Sequence, residues 1–229
     1  MSVIKTTLAE QAYRELRSRI VGGQLAGGQR LLVNELAADL GISPTPVKEA
    51  CLRLEADGLV TTVPRRGMVV RSLTETDVEQ LYAARILIEK GAVEVAFETG
   101  RIDDALVRRL TRAVEQHRRY ATSSSLDDLA KALTHDRLFH SALVDAAGIP
   151  MISETHARIV SQTHTVFVSV PGDYSRSVEE HEDILAAVVA RDCAKVVEAM
   201  RRHLERSRKN TLHLFSVLAG RQAPASLTA

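Results

Sequence analysis

Apolar residues recur at helical spacing almost from the start of this chain. Leu8, Ala12, Leu16 and Ile20 fall at i, i+4, i+8 and i+12, one face of an amphipathic helix that Gly22-Gly23 ends. A second, short helical segment runs from Glu35 to Leu40 and stops at Gly41. The third begins at Ser43-Pro44-Thr45-Pro46: Ser43 suits an N-cap, Pro44 suits the first helical position, and Pro46 is still within the first turn, where a missing N–H does no harm. Val47, Ala50, Cys51 and Leu54 form its apolar face, and Gly58 ends it. Leu59–Val63 and Met68–Arg71 are β-branched runs joined by Pro64-Arg65-Arg66-Gly67, a hairpin signal. Three short helices and a hairpin predict a winged helix-turn-helix.

Beyond Ser72 the texture changes to long amphipathic segments. Thr74-Glu75-Thr76-Asp77 reads as a capping box, and Val78, Leu81, Tyr82, Arg85, Ile88, Glu89, Ala92, Val93 and Ala96 follow at helical spacing up to Gly100. Five more helices are expected at about 103–121, 126–147, 149–168, 177–190 and 193–218, broken at Ser123-Ser124-Ser125, Gly148-Ile149-Pro150, Pro171-Gly172-Asp173 and Arg191-Asp192, with Asp192 capping the last. The fold class is therefore mainly α: a winged helix over 1–73, an all-α six-helix bundle over 74–220, and a disordered tail over 221–229. Composition agrees, since 45% hydrophobic residues suffice for two cores, while 3% aromatics and no Trp favour helix over a β-sandwich. No apolar run approaches the roughly 18 residues that span a bilayer, and the N-terminus has no signal-peptide core, so the chain reads as cytoplasmic with no membrane partner. Cys51 and Cys193 lie in helical patterns, as reduced core residues do.

The net charge of +1 excludes a uniformly basic coat protein, but it averages unlike halves. Residues 1–71 hold 10 Lys plus Arg against 7 Asp plus Glu, and residues 72–229 hold 20 against 22. The basic excess coincides with the winged helix, whose third helix has the dimensions to enter a major groove about 12 Å wide. There Ser43, Thr45 and Lys48 would meet base edges or phosphates, while Arg65 and Arg66 at the hairpin tip, with Gly67 permitting close approach, would reach backbone or minor groove. Winged helices also serve as protein-interaction modules, and two arginines at a turn are often merely solvated. The coincidence of capped helix, Gly-bounded turn and basic tip favours DNA.

In the bundle a few polar residues interrupt the apolar faces. Leu129, Leu133, Asp136, His140, Leu143 and Ala147 share one stripe, so Asp136 and His140 are one turn apart and point inward together. His181 precedes Ile184, Leu185 and Val188, and His203 follows Val196, Ala199 and Met200. One carboxylate and three imidazoles on three helices have the make-up of a site for Zn²⁺, Ni²⁺ or Mn²⁺, although an inward His is more often an ordinary hydrogen-bonded core residue.

The stretch Leu36-Ala37-Ala38-Asp39-Leu40-Gly41-Ile42-Ser43-Pro44-Thr45-Pro46-Val47-Lys48-Glu49-Ala50, then Leu52 to Val60 and Pro64-Arg65-Arg66-Gly67, resembles the DNA-binding domain of the GntR family of bacterial transcription regulators. Residues 75–218 resemble the FCD ligand-binding domain of its FadR-type subfamily, a six-helix bundle that commonly holds a divalent metal. The resemblance implies Asp136, His140, His181 and His203 as metal ligands, matching Asp-x-x-x-His, Glu180-His181 and a His near the middle of the last helix. It also implies a homodimer on a palindromic operator of double-stranded DNA, and Asn34 as a phosphate contact at the start of the second helix. The family's arginines are replaced here by Pro44 and Lys48; losing a bidentate guanidinium removes a guanine contact and implies a deviating operator half-site. Four protein ligands leave about two positions on an octahedral ion, which a small carboxylate or 2-hydroxy acid fills by chelation. Arg85 is then an effector anchor or merely the i,i+4 partner of Glu89, and Arg158 on the fourth bundle helix is a further pocket candidate. The resulting expectation is an organic-acid-responsive regulator, a repressor, with a metal sensor lacking an organic effector, or a metal-dependent enzyme, as alternatives.

Overall fold

The computed structural model describes residues 6–123, 125–167 and 174–222. The chain divides into two units, Met1–Leu73 and Thr74–Ala229. In the first, α1 (Leu8–Val21), α2 (Val33–Leu40) and α3 (Pro44–Ala56) precede an antiparallel hairpin of β1 (Val60–Val63) and β2 (Gly67–Val70). Thr7 caps α1 by accepting from the Glu10 N–H at 3.1 Å. Gly41 ends α2 at φ +66°, a left-handed conformation that costs glycine nothing. The two apolar stripes meet in one core: Leu16, Ile20, Val47, Ala50, Cys51 and Leu54 are each at most 1% exposed. Packing of α1 on α3 turns the opposite face of α3, with Thr45 and Lys48, outward.

A third strand-like pairing joins the hairpin that the sequence did not announce. Arg30 bridges Val69, Leu31 N–H donates to Met68 O at 2.9 Å, and Val70 N–H donates to Gln29 O at 2.8 Å. The four residues between Gly28 and α2 are too few to show an alternating pattern.

The second unit comprises α4 (Glu75–Glu98), α5 (Asp104–Tyr120), α6 (Leu126–Asp145), α7 (Pro150–Phe167), α8 (Ser175–Val189) and α9 (Cys193–Gln222). The capping box at its start is complete: Asp77 N–H donates to Thr74 Oγ1 at 3.1 Å and Thr74 N–H to Asp77 Oδ2 at 2.8 Å. Asp192 serves the last helix, accepting from Lys195 N–H at 3.1 Å. α4 packs against α6, α7 and α9, α5 against α6 and α8, and α8 against α9. Leu110, Phe139, Leu143, Ile184, Met200 and Leu204 fill the centre, each at most 1% exposed. The expected tail is corrected at its start, since α9 runs on through Gly220 to Arg221 and Gln222, both good helix formers. Residues 223–229, Ser124 and the Pro171-Gly172-Asp173 break lie outside the described residues.

Gly148, just past α6, sits at φ +68°, and a Cβ there would lie 1.2 Å from Nη1 of Arg101, which donates to Ala147 O at 2.8 Å. Gly148→Ala is expected to cost about 1–2 kcal/mol from backbone strain, before Arg101 is displaced. That lowers the thermal midpoint by roughly 2–8 °C in a melt of the full chain; an unchanged midpoint would contradict this account.

Candidate metal centre and nucleic-acid interface

The stripes on α6, α8 and α9 bring their polar interruptions together. Ligand atoms of Asp136, His140, His181 and His203 all lie within 4.8 Å of one another. Nε2 of His140 is 3.1 Å from Nε2 of His203 and 3.2 Å from Nε2 of His181. Oδ1 of Asp136 is 3.5 Å from Nε2 of His181 and 4.0 Å from Nε2 of His140. Two donors each about 2.1 Å from one ion stand about 3.0 Å apart at octahedral angles and about 3.4 Å at tetrahedral ones. The spacing therefore fits a common ion. His140, His181 and His203 are 0%, 0% and 2% exposed, so water does not serve these nitrogens freely.

Their partners make the fit chemically specific. Nδ1 of His140 is 2.6 Å from Oε2 of Glu89, and Nδ1 of His203 is 2.7 Å from Oε2 of Glu180. An ionised carboxylate only accepts, so Nδ1 carries a proton in both rings and Nε2 is the nitrogen turned toward the cluster. A cation placed between the two rings would meet both Nε2 atoms, which face one another at 3.1 Å. Glu89 stays ionised at 0% exposure: burial pushes its carboxyl up, but His140 and Arg85, with the hydrogen bonds of His140 and His156, hold it well below the usual range. Burial likewise opposes ionisation of Asp136, and His164, donating to Oδ2 at 3.1 Å, joins His140 and His181 in holding it well below the ordinary value. His181 is kept neutral by burial first and by His203 next, with its Nδ1 3.2 Å from Nδ1 of His117.

Beside this cluster lies a cavity of about 220 Å³ lined by residues of α4, α5, α6, α7, α8 and α9. Arg85 lines it at 2% exposure, with Nε donating to Glu89 Oε1 at 2.8 Å while Nη2 is buried without a hydrogen-bond partner. The ion pair and the free edge thus coexist in one side chain. Tyr82, one turn earlier, lines the same cavity and is bonded to Thr211 across α4 and α9 at 3.0 Å. Arg158 departs from expectation: it is exposed on α7 and is not among the lining residues, because His156 and Val160, two positions to either side, take the inward face. His117, His156 and His164, to which the sequence assigned no ligand role, are instead buried partners of the cluster through His181, Glu89 and Asp136. Their single-residue signals on their own helices resemble those of any core histidine; only cross-helix proximity distinguishes them.

In the first unit the reading face is polar and open. Asn34 is exposed in the first turn of α2, and Ser43, Thr45 and Lys48 are exposed at the start of α3. Ser43 has N-cap backbone geometry but no side-chain cap hydrogen bond. Pro46 occupies the third helical position, so the N–H that such a hydroxyl usually receives is absent. At the wing, Arg65, Arg66 and Gly67 are all exposed, and the tight turn places Arg65 at φ +64° and Gly67 at φ +78°.

A winged helix with an exposed polar face, followed in the chain by a helical bundle that encloses a ligand-type cluster, defines a two-domain transcription regulator. The chain matches the FCD domain family over residues 80–206 and the bacterial regulatory proteins of the gntR family over residues 8–70. It belongs to the GntR family, with an FCD domain as its second unit. It is 28% identical over 210 residues to the gluconate operon transcriptional repressor of Bacillus subtilis (strain 168), covering 88% of this chain and 84% of that one. It is 31% identical over 135 residues to the HTH-type regulator YdhC of the same organism, covering 59% of this chain and 58% of that one. The solved structure of E. coli McbR/YncC shares the fold, with a TM-score of 0.79 at 21% identity, covering 93% of this chain and all of that one. The chain is accordingly a DNA-binding transcription regulator and not an enzyme, which removes the metal-enzyme alternative. No described helix is long and apolar enough to cross a membrane.

Burial holds His117 and His164 down at about 4, against an ordinary value of 6.5. In the unfolded chain both take a proton near pH 6.5; in the folded chain neither does until about pH 4, so stability falls as pH drops between those values. For metal-free protein the loss is expected to reach up to about 3 kcal/mol per histidine at pH 4. Urea midpoints at pH 7 and pH 4.5 read this directly, and His164→Gln should flatten the difference; a midpoint independent of pH over this range would refute the assignment.

Proposed function

We propose that this regulator is a repressor acting as a homodimer on a palindromic operator, and that its FCD domain holds one divalent metal ion and a small carboxylate effector that changes operator affinity. The observation that carries the reading is the convergence of three imidazole Nε2 atoms and Asp136 Oδ1 beside a cavity into which a buried arginine brings an unsatisfied donor. A bound divalent ion supplies Lewis-acid positions for carboxylate oxygens. Arg85 supplies the complementary donor: with Nε committed to Glu89, its Nη2–H is oriented before any ligand arrives, and an unsatisfied buried guanidinium edge favours an anion. The relative that represses a gluconate operon has a sugar acid in its name, consistent with a carboxylate here.

DNA reading falls to α3 and the wing. Ser43, Thr45 and Lys48 face base edges or phosphates, Arg65, Arg66 and Gly67 take the flanking backbone, and Asn34 takes a phosphate beside α2. α4, which carries Tyr82, Arg85 and Glu89, begins at Glu75, immediately after the first unit ends at Leu73. A ligand that binds one arrangement of α4 more tightly than another therefore acts on the helix to which the reading head is covalently joined.

Purified protein should carry about one divalent ion per chain by plasma mass spectrometry, and Glu180→Gln should weaken its retention about 10–100-fold by freeing the His203 ring. Operator affinity should fall with salt at a log–log slope of roughly −5 to −9 for the dimer, and Arg66→Ala should flatten that slope by about 2; a slope near zero would remove the DNA assignment. The effector half is tested by a mobility-shift titration of metal-loaded protein with small carboxylates. At least one should change operator affinity, and Arg85→Lys, which keeps the charge beside Glu89 but loses the second edge, should raise the concentration required by about 10-fold or more. If no acid acts while chelation alone releases or restores DNA binding, the metal is the signal and the organic effector is abandoned.

A further inference from the structure

The cavity beside the metal ligands has a second basic wall. Arg206 lies one turn past His203 on α9 and lines the cavity with Arg85. Glu180 joins the two ends of that turn: Oε2 receives His203 Nδ1 at 2.7 Å, and Oε1 pairs with Nη1 of Arg206. Nη2 of Arg206 donates to Arg176 O at 3.3 Å, while its Nε is buried with no hydrogen-bond partner. The guanidinium is thus fixed on two nitrogens and unsatisfied on the third. Two arginines, Arg85 and Arg206, therefore each present one orphaned buried N–H from residues that line the same cavity. Leaving such a donor unmet is unfavourable, more so for a charged group than for a neutral one.

Size points the same way. A cavity of about 220 Å³ is many times the roughly 10–15 Å³ that one water needs, and leaves room for more than a two-carbon monoacid. Asp136 is the one carboxylate among the lining residues, and its oxygens are directed to His181 and His164; Glu180, which pairs with Nη1 of Arg206, does not line the cavity.

We propose that the effector is a dianion, a short dicarboxylate, with one carboxylate held at the metal position and Arg85 and the other received by Nε of Arg206. This rests on the effector reading above and adds the second anionic subsite. Arg206 is then a specificity-determining residue: it separates diacids from monoacids of equal length. Ser207 and Asn210, which follow it on α9 and line the cavity, provide neutral polar contacts along the connecting carbons.

The test is calorimetric titration of the full-length, metal-replete protein with succinate and with butyrate, which differ only in the second carboxylate. Wild-type protein should bind succinate at least about 10-fold tighter than butyrate. Arg206→Gln should bring the two within about 3-fold while metal content and butyrate affinity stay unchanged. Equal binding of succinate and butyrate by the wild type, or a preference that survives Arg206→Gln, would overturn the second subsite and leave the effector reading intact. Binding of neither these nor any other small acid would bring down the effector reading itself. Should Arg206→Gln lose metal through its link to Glu180, the wild-type series malonate, succinate and glutarate decides: an optimum length that outbinds every matched monoacid supports the subsite, and a flat series equal to the monoacids refutes it.

Discussion

Two short hydrogen bonds set the chemistry of the second domain: Nδ1 of His140 to Glu89 at 2.6 Å and Nδ1 of His203 to Glu180 at 2.7 Å. Each fixes which nitrogen holds the proton and turns the other nitrogen toward the centre of the bundle. Without them the rings are ordinary core histidines that bond to one another through either tautomer. With them, Nε2 atoms of neighbouring helices face one another at about hydrogen-bond distance, a geometry that fits a shared cation.

Glu89 ties this centre to the rest of the domain. It accepts from Arg85, His140 and His156, on three different helices, at 0% exposure. A carboxylate buried to that degree is stable only when several donors surround it, and removing one leaves an uncompensated charge. The position of α4 is consequently coupled to His140 of the candidate metal cluster and to the cavity wall at Arg85 through one side chain. α4, which carries Glu89, is also the element that follows directly on the winged helix in the chain.

The winged helix itself is governed by apolar burial and by proline. Leu16, Ile20, Val47 and Leu54 lock α3 against α1, so the residues at the start of α3 project on the far side. Pro46 then withholds the N–H that would occupy the Ser43 hydroxyl, leaving it available to an outside partner. This consequence was readable from Ser43-Pro44-Thr45-Pro46 alone, although the sequence reading took Ser43 mainly as a cap. The edge pairing of Arg30 with Val69 was not readable, because a single bridge needs no periodic pattern.

Local rules acting within each helix were enough to decide a great deal from sequence. Glycines at 41, 58 and 148, the Thr74–Asp77 box and the 3.6-residue stripes set the elements and their inward faces, and the D-x-x-x-H spacing put Asp136 and His140 on one face. The order of helices and the division into a winged helix and a bundle follow from those periodicities and from family resemblance, as does the choice of Asp136, His140, His181 and His203 as candidate ligands. Tertiary structure decided everything that depends on two helices at once. It recruited His117, His156 and His164 as partners, turned Arg158 away, and showed that Arg85 is both paired and unsatisfied. Side-chain direction along one helix is a property of spacing, whereas the distance between side chains on different helices is fixed only when the core between them packs.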